Sequence, residues 1–130
     1  MKFYKLFSIR INMNEKLQEL MDNFKNPRNY REIIDPTLTK KITKASCGDK
    51  FTIFIKTDKD CIKDISFIGT GCSVSTAGLS YLTEFSKNKS KQDIQNLQEK
   101  DFLEYIGVQF NQNKKGCILI GFKELKKTFE

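Results

Sequence analysis

Gly69-Thr70-Gly71-Cys72-Ser73-Val74-Ser75 is the stretch on which the reading of the chain turns. Ile62 to Ile68, just before it, reads as a strand. Just after it, Val74, Ala77, Gly78, Tyr81, Leu82 and Phe85 form a wide apolar stripe at helical spacing. Cys72 therefore stands at a strand-to-helix turn. The unpaired N–H groups and the positive dipole end of a helix favour thiolate over thiol there. Thiolate is the form that binds soft metals and attacks sulfur. Gly69 and Gly71 allow positive φ and leave room around the sulfur.

Upstream, Phe51, Ile53 and Ile55 alternate with Thr52, Phe54 and Lys56, the period of a strand. Thr57 to Asp60 makes a hairpin-like turn into the strand at Ile62, and Thr37 to Ala45 reads as an edge strand. Further upstream, Leu17, Leu20, Met21 and Phe24 predict a helix over 14–25 with these residues on its core face. Asn12 and Glu15 suit its cap, and Asn26-Pro27 stops it. Downstream, Ser90 and Asp93 form a capping-box pattern, Phe102 to Ile106 a short helix, and Asn111 to Gly116 a polar loop. Ile118, Phe122, Leu125 and Phe129 predict a last helix that Cys117 opens. The expected fold is α+β, a small three-stranded antiparallel sheet with helices packed on one face. Residues 1–12 read as an N-terminal extension and 13–130 as the domain.

At 130 residues the chain is long enough for one real core. It has no apolar run of the roughly 18 residues that a membrane helix needs. Met1 to Met13 is basic and apolar, but Arg10 interrupts any signal-like core. A cytoplasmic protein with no membrane partner is expected, with its four cysteines reduced. The net charge of +7 comes from scattered lysines, without the aromatic-studded basic motif of an RNA-binding surface, so no nucleic acid is expected. Histidine is absent, which excludes His bases and His ligands and leaves Cys, Asp and Glu for any metal.

Cys47, Cys72 and Cys117 are separated by 25 and 45 positions, unlike paired zinc knuckles. Each has a glycine beside it and each falls at the end of an element. Asp49, two residues past Cys47, could reach the same ion. Residue types alone leave two readings open: a shared site, or separately buried small thiols with Asp49 as a turn carboxylate. Cys61 lies in a polar turn and reads as incidental.

Four motifs resemble the U-type iron–sulfur assembly family, which comprises IscU, SufU and the N-terminal part of NifU. They are Phe24-Lys25-Asn26-Pro27-Arg28-Asn29, Ser46-Cys47-Gly48-Asp49, the stretch from Gly69 to Ser75, and Cys117 ahead of Phe122-Lys123-Glu124-Leu125. The resemblance implies that Cys47, Asp49, Cys72 and Cys117 are the ligands of Zn²⁺, of iron, or of a transient [2Fe–2S] cluster. It also implies that Cys117 accepts persulfide sulfur from a pyridoxal-phosphate-dependent cysteine desulfurase, and that the cluster passes to apo iron–sulfur proteins. A scaffold role is implied first, and a SufU-like zinc-dependent sulfurtransferase second. Gly116 stands where IscU-like members have a His, and the 45-residue interval holds no SufU-type insertion. Lys114 and Lys115 would then supply the positive charge near Cys117, and the polar loop before it would let it swing.

Overall fold

In a computed structural model, residues 12–44 and 48–130 are described. The proposed extension, apart from Asn12, lies outside them, and so does Cys47. Three strands form an antiparallel sheet in the order β1-β2-β3: β1 (Leu38–Lys44), β2 (Asp49–Asp58) and β3 (Cys61–Thr70). Lys44 pairs with Asp49 across the first hairpin, and Asp58 with Cys61 across the second. The second turn is carried by Lys59 and Asp60, both with positive φ, which is the backbone that joins twisted strands through a two-residue loop. Phe51, Ile53 and Ile55 of β2 and Ile65 and Phe67 of β3 are buried, so the alternation in sequence becomes the core face of the sheet.

Six helices follow or precede the sheet among the described residues: α1 (Met13–Lys25), α2 (Ser73–Ser86), α3 (Lys91–Asn96), α4 (Glu99–Ile106), α5 (Gln112–Ile118) and α6 (Ile120–Thr128). The long helix α2 touches α1, β3, α4, α5 and α6. Ala77, Gly78, Tyr81 and Leu82 of its stripe are buried and Val74 and Phe85 partly so, and Ser75, Ser80 and Thr83 on its other sides are buried too. Those hydroxyls find partners. Ser80 donates to Asn23 at 2.7 Å and accepts from the Arg28 N–H at 2.8 Å. The loop after α1 is thereby bound to α2, and it is also bound to β3, where the Arg31 N–H donates to the Phe67 carbonyl at 3.0 Å.

Two expectations are corrected here. Leu17, Met21 and Phe24 do not face the core; they are exposed, and Lys16 and Asn23 are buried in their place. The cause is the partner surface, since α2 presents the Ser80 hydroxyl to α1 and a polar side chain must meet it. Of the expected stripe only Leu20 packs against the core. Residues 112–118 are helical, not a loop. Asn111 caps α5 by accepting from the Lys114 N–H at 2.9 Å, and Cys117 lies in the last turn of that helix.

Candidate metal and sulfur site

Two glycines fix the turn that carries Cys72. Gly69 has φ +134°, and a Cβ there would lie 2.2 Å from the Lys50 carbonyl oxygen. A Cβ on Gly71 would lie 2.4 Å from Asp49 Oδ1 and 2.7 Å from the Phe51 ring. Only glycine lets β3 pass this close to β2 and deliver Cys72 beside Asp49.

Cys72 is the N-cap of α2, and its sulfur accepts from the Ser75 N–H at 3.4 Å. In an ordinary capping box the side chain three residues on would take the N–H of the capping residue. Here Asp49, from another element, does so: the Cys72 N–H donates to Asp49 Oδ1 at 2.9 Å. Ser75 instead donates its hydroxyl to Asp49 Oδ2 at 2.8 Å, with the same oxygen 3.2 Å from the Cys72 sulfur. Asp49 and Ser75 are both fully buried. The carboxylate is therefore held by two donors at a helix N-terminus, which compensates its loss of water.

Cys117 is brought to this point by α5. A Cβ on Gly78 of α2 would sit 2.5 Å from the Ile118 carbonyl oxygen, so α2 and α5 touch backbone to side-chain-free backbone. That contact carries the neighbouring Cys117, 7% exposed, close enough to Cys72 for each thiol to shift the other's pKa. Burial pushes the Cys72 thiol up, but the Ser75 hydroxyl and N–H beside its sulfur and the neighbouring Cys117 thiol bring it below the ordinary thiol range, against the opposing charge of Asp49. Burial, then the Cys72 thiol and its charge, hold Cys117 above that range, and Lys44 pulls the other way. In the metal-free pair Cys72 is thus the more acidic thiol and Cys117 the less acidic one.

A further lysine adds positive charge near Cys117. The Lys44 ammonium lies 3.3 Å from where a Cβ of Gly116 would be, and its charge lowers the pKa of Cys117. Neither Lys44 nor the Ser75 hydroxyl was legible as part of the site. The three-residue step from Cys72 to Ser75, N-cap to third helical position, is the signal that points to Ser75. Lys44 is found only through the pairing register with Asp49. Cys61 is exposed at the far end of β2 from Asp49, about 30 Å away at the usual strand rise.

The donor set tests well for a soft or borderline ion in part. Two thiols lie side by side, and Asp49 is joined to Cys72 through Ser75, which is a sulfur-rich set with one hard oxygen. Among the described residues no three Cys, Asp or Glu side chains already stand as a ready cage, and Cys47 lies outside those residues. Among the described residues, too, no helix is long and apolar enough to cross a membrane.

SufU of Bacillus subtilis, a zinc-dependent sulfurtransferase, is 36% identical over 72 residues, which are 55% of this chain and 48% of that protein. The match thus spans about half the length of that relative. The IscU scaffold protein of Aquifex aeolicus is 36% identical over 110 residues, 83% of this chain and 69% of that one. The fold is that of a SufU-type scaffold structure from Fervidobacterium islandicum, with TM-score 0.72 and 23% identity over 87% of this chain and 95% of the other. It is also that of a NifU-like N-terminal domain from Brucella abortus, with TM-score 0.70 and 12% identity over 89% and 94% of the two chains. The model of the NifU-like N terminal domain matches residues 15–130, nearly the whole chain, and the chain belongs to that family.

Proposed function

We propose that this chain is an iron–sulfur cluster assembly scaffold that builds and passes on a transient [2Fe–2S] cluster on Cys47, Asp49, Cys72 and Cys117. The observation that carries the reading is the placement of Cys117 beside Cys72, 45 positions apart in sequence, with Asp49 tied to Cys72 by its N–H and through Ser75. A fold that gathers two thiols and a buried carboxylate at a helix start gives iron soft ligands and one hard, more weakly held oxygen. Weak ligation at one corner suits a cluster that must leave. Apo iron–sulfur proteins are the receivers, and the cytoplasm is the compartment.

Sulfur comes from a pyridoxal-phosphate-dependent cysteine desulfurase. Cys117 gives its proton to the neighbouring Cys72 sulfur, and the resulting Cys117 thiolate attacks the outer sulfur of the desulfurase persulfide. A new S–S bond forms on Cys117 and the desulfurase thiolate leaves. Lys44 stabilises the negative charge on Cys117 during the exchange. The second reading is a zinc-dependent sulfurtransferase. It is favoured by Ser73-Val74-Ser75 after Cys72, the SufU-like run whose last hydroxyl holds Asp49. Zinc, when bound, would hold the thiols as thiolates.

Mixing the protein with desulfurase and cysteine, without reductant, and mapping persulfide by mass spectrometry tests the sulfur step. Label on Cys117, lost in Cys117→Ser and retained in Cys61→Ser, is the expected result. Label on Cys47 or Cys72 that persists at the wild-type level in Cys117→Ser contradicts it.

A further inference from the structure

Ser75 is not a ligand in that reading, yet its hydroxyl sits between the two donors Asp49 and Cys72. The oxygen is 2.8 Å from Asp49 Oδ2 and 3.2 Å from the Cys72 sulfur, and the residue is fully buried. A serine hydroxyl has one proton to donate. It can serve the carboxylate or the sulfur, not both at once. With the proton on the carboxylate side, both Asp49 oxygens are engaged, Oδ2 by Ser75 and Oδ1 by the Cys72 N–H. Asp49 is then drawn under Gly71 and Phe51, 0% exposed, and does not stand with the two thiols as a ready cage.

The geometry points to Ser75 as a positioning residue, a latch that competes with the bound ion for Asp49. When Asp49 turns toward an ion, the Ser75 hydroxyl rotates to the Cys72 sulfur, and when Asp49 lets go, it rotates back. No covalent bond changes. The latch stabilises the state in which Asp49 is withdrawn, so it makes Asp49 the ligand that releases first. This rests on Asp49 being a ligand, as proposed above.

Zinc serves as the probe. The zinc-loaded protein is mixed with excess chromophoric chelator and the release rate is followed. Ser75→Ala, which lacks the competing hydroxyl, is expected to release zinc about tenfold more slowly, the scale of one hydrogen bond to a charged group. Ser75→Thr, which keeps a hydroxyl, is expected to restore the wild-type rate. In an Asp49→Ala background, Ser75→Ala is expected to change nothing. Release from Ser75→Ala as fast as wild type or faster overturns the latch, because the hydroxyl would then be orienting Asp49 toward the ion. Equal slowing in the Asp49→Ala background also overturns it, because Ser75 would then act through Cys72 alone. Amide hydrogen exchange at Cys72 in the metal-free protein separates this from the functional reading. Loss of at least about tenfold protection in Ser75→Ala supports the latch, since Asp49 is the acceptor of that N–H. Unchanged protection overturns it. Failure of the wild-type protein to bind zinc counts against the metal site, while the Cys72 amide still decides whether Ser75 holds Asp49.

Discussion

Burial alone would raise the pKa of both Cys72 and Cys117, and the difference between them comes from what stands at each sulfur. Cys72 has the Ser75 hydroxyl and N–H and the Cys117 thiol at its sulfur and falls below the ordinary thiol range; Cys117, buried and beside the charge of Cys72, is held above it. Alkylation of metal-free protein follows the thiolate, so Cys72 is expected to be modified before Cys117 near neutral pH. Replacing Cys72 by Ser removes the thiol and its charge, which hold Cys117 up, and Cys117 should then react faster than in wild type. Peptide mapping after brief iodoacetamide treatment gives the order. Modification of Cys117 ahead of Cys72, or no acceleration in Cys72→Ser, contradicts the assignment of the proton. At this scale the sequence showed Cys72 well, because a Gly-x-Gly-Cys run between a strand and a helix marks a helix start. It did not show that Asp49 would accept the N–H of that capping residue, because the partner lies 23 positions away on another element.

Between elements, the closest constraint is the crossing of α2 and α5. Gly78 faces the Ile118 carbonyl, and a Cβ at 2.5 Å has a backbone atom in its way that cannot move aside cheaply. Alanine is favoured over glycine inside a helix by about 1 kcal/mol. Here the overlap outweighs that gain, and Gly78→Ala is expected to lower stability by about 1–3 kcal/mol, as overpacking does. Urea denaturation measures it, and an unchanged or raised midpoint contradicts the crossing. The three strands, the hairpin turn and α2 were legible because their apolar residues recur at a clear period. Residues 112–116 were not, since they contain no apolar residue to show a period and are helical through the Asn111 cap and the docking of Ile118. The face of α1 was misread for a related reason. Apolar residues at i, i+3, i+4 and i+7 specify a stripe, but which stripe is buried was decided by Asn23 meeting Ser80.

Most of the molecule's core is built from side chains other than the thiols. Phe67, Phe102 and Phe122 are fully buried, and Phe102 stacks on Phe122 with ring centres 5.3 Å apart. None of these contacts passes through a metal, so the fold should outlast metal loss, unlike small domains that a structural ion holds together. Chelation is expected to leave the far-UV circular dichroism nearly unchanged while thermal stability falls; collapse to a coil spectrum contradicts this. The central claim is that the thiols gathered at the start of α2 form one metal or cluster site. Zinc, iron and acid-labile sulfide analysis of the protein as isolated and after anaerobic reconstitution tests it most directly. The account predicts stoichiometric zinc, or iron with matching sulfide, that is lost in Cys72→Ser and in Cys117→Ser and kept in Cys61→Ser. Metal that stays bound when Cys72 and Cys117 are both replaced, or none bound by the wild-type protein in either state, contradicts it.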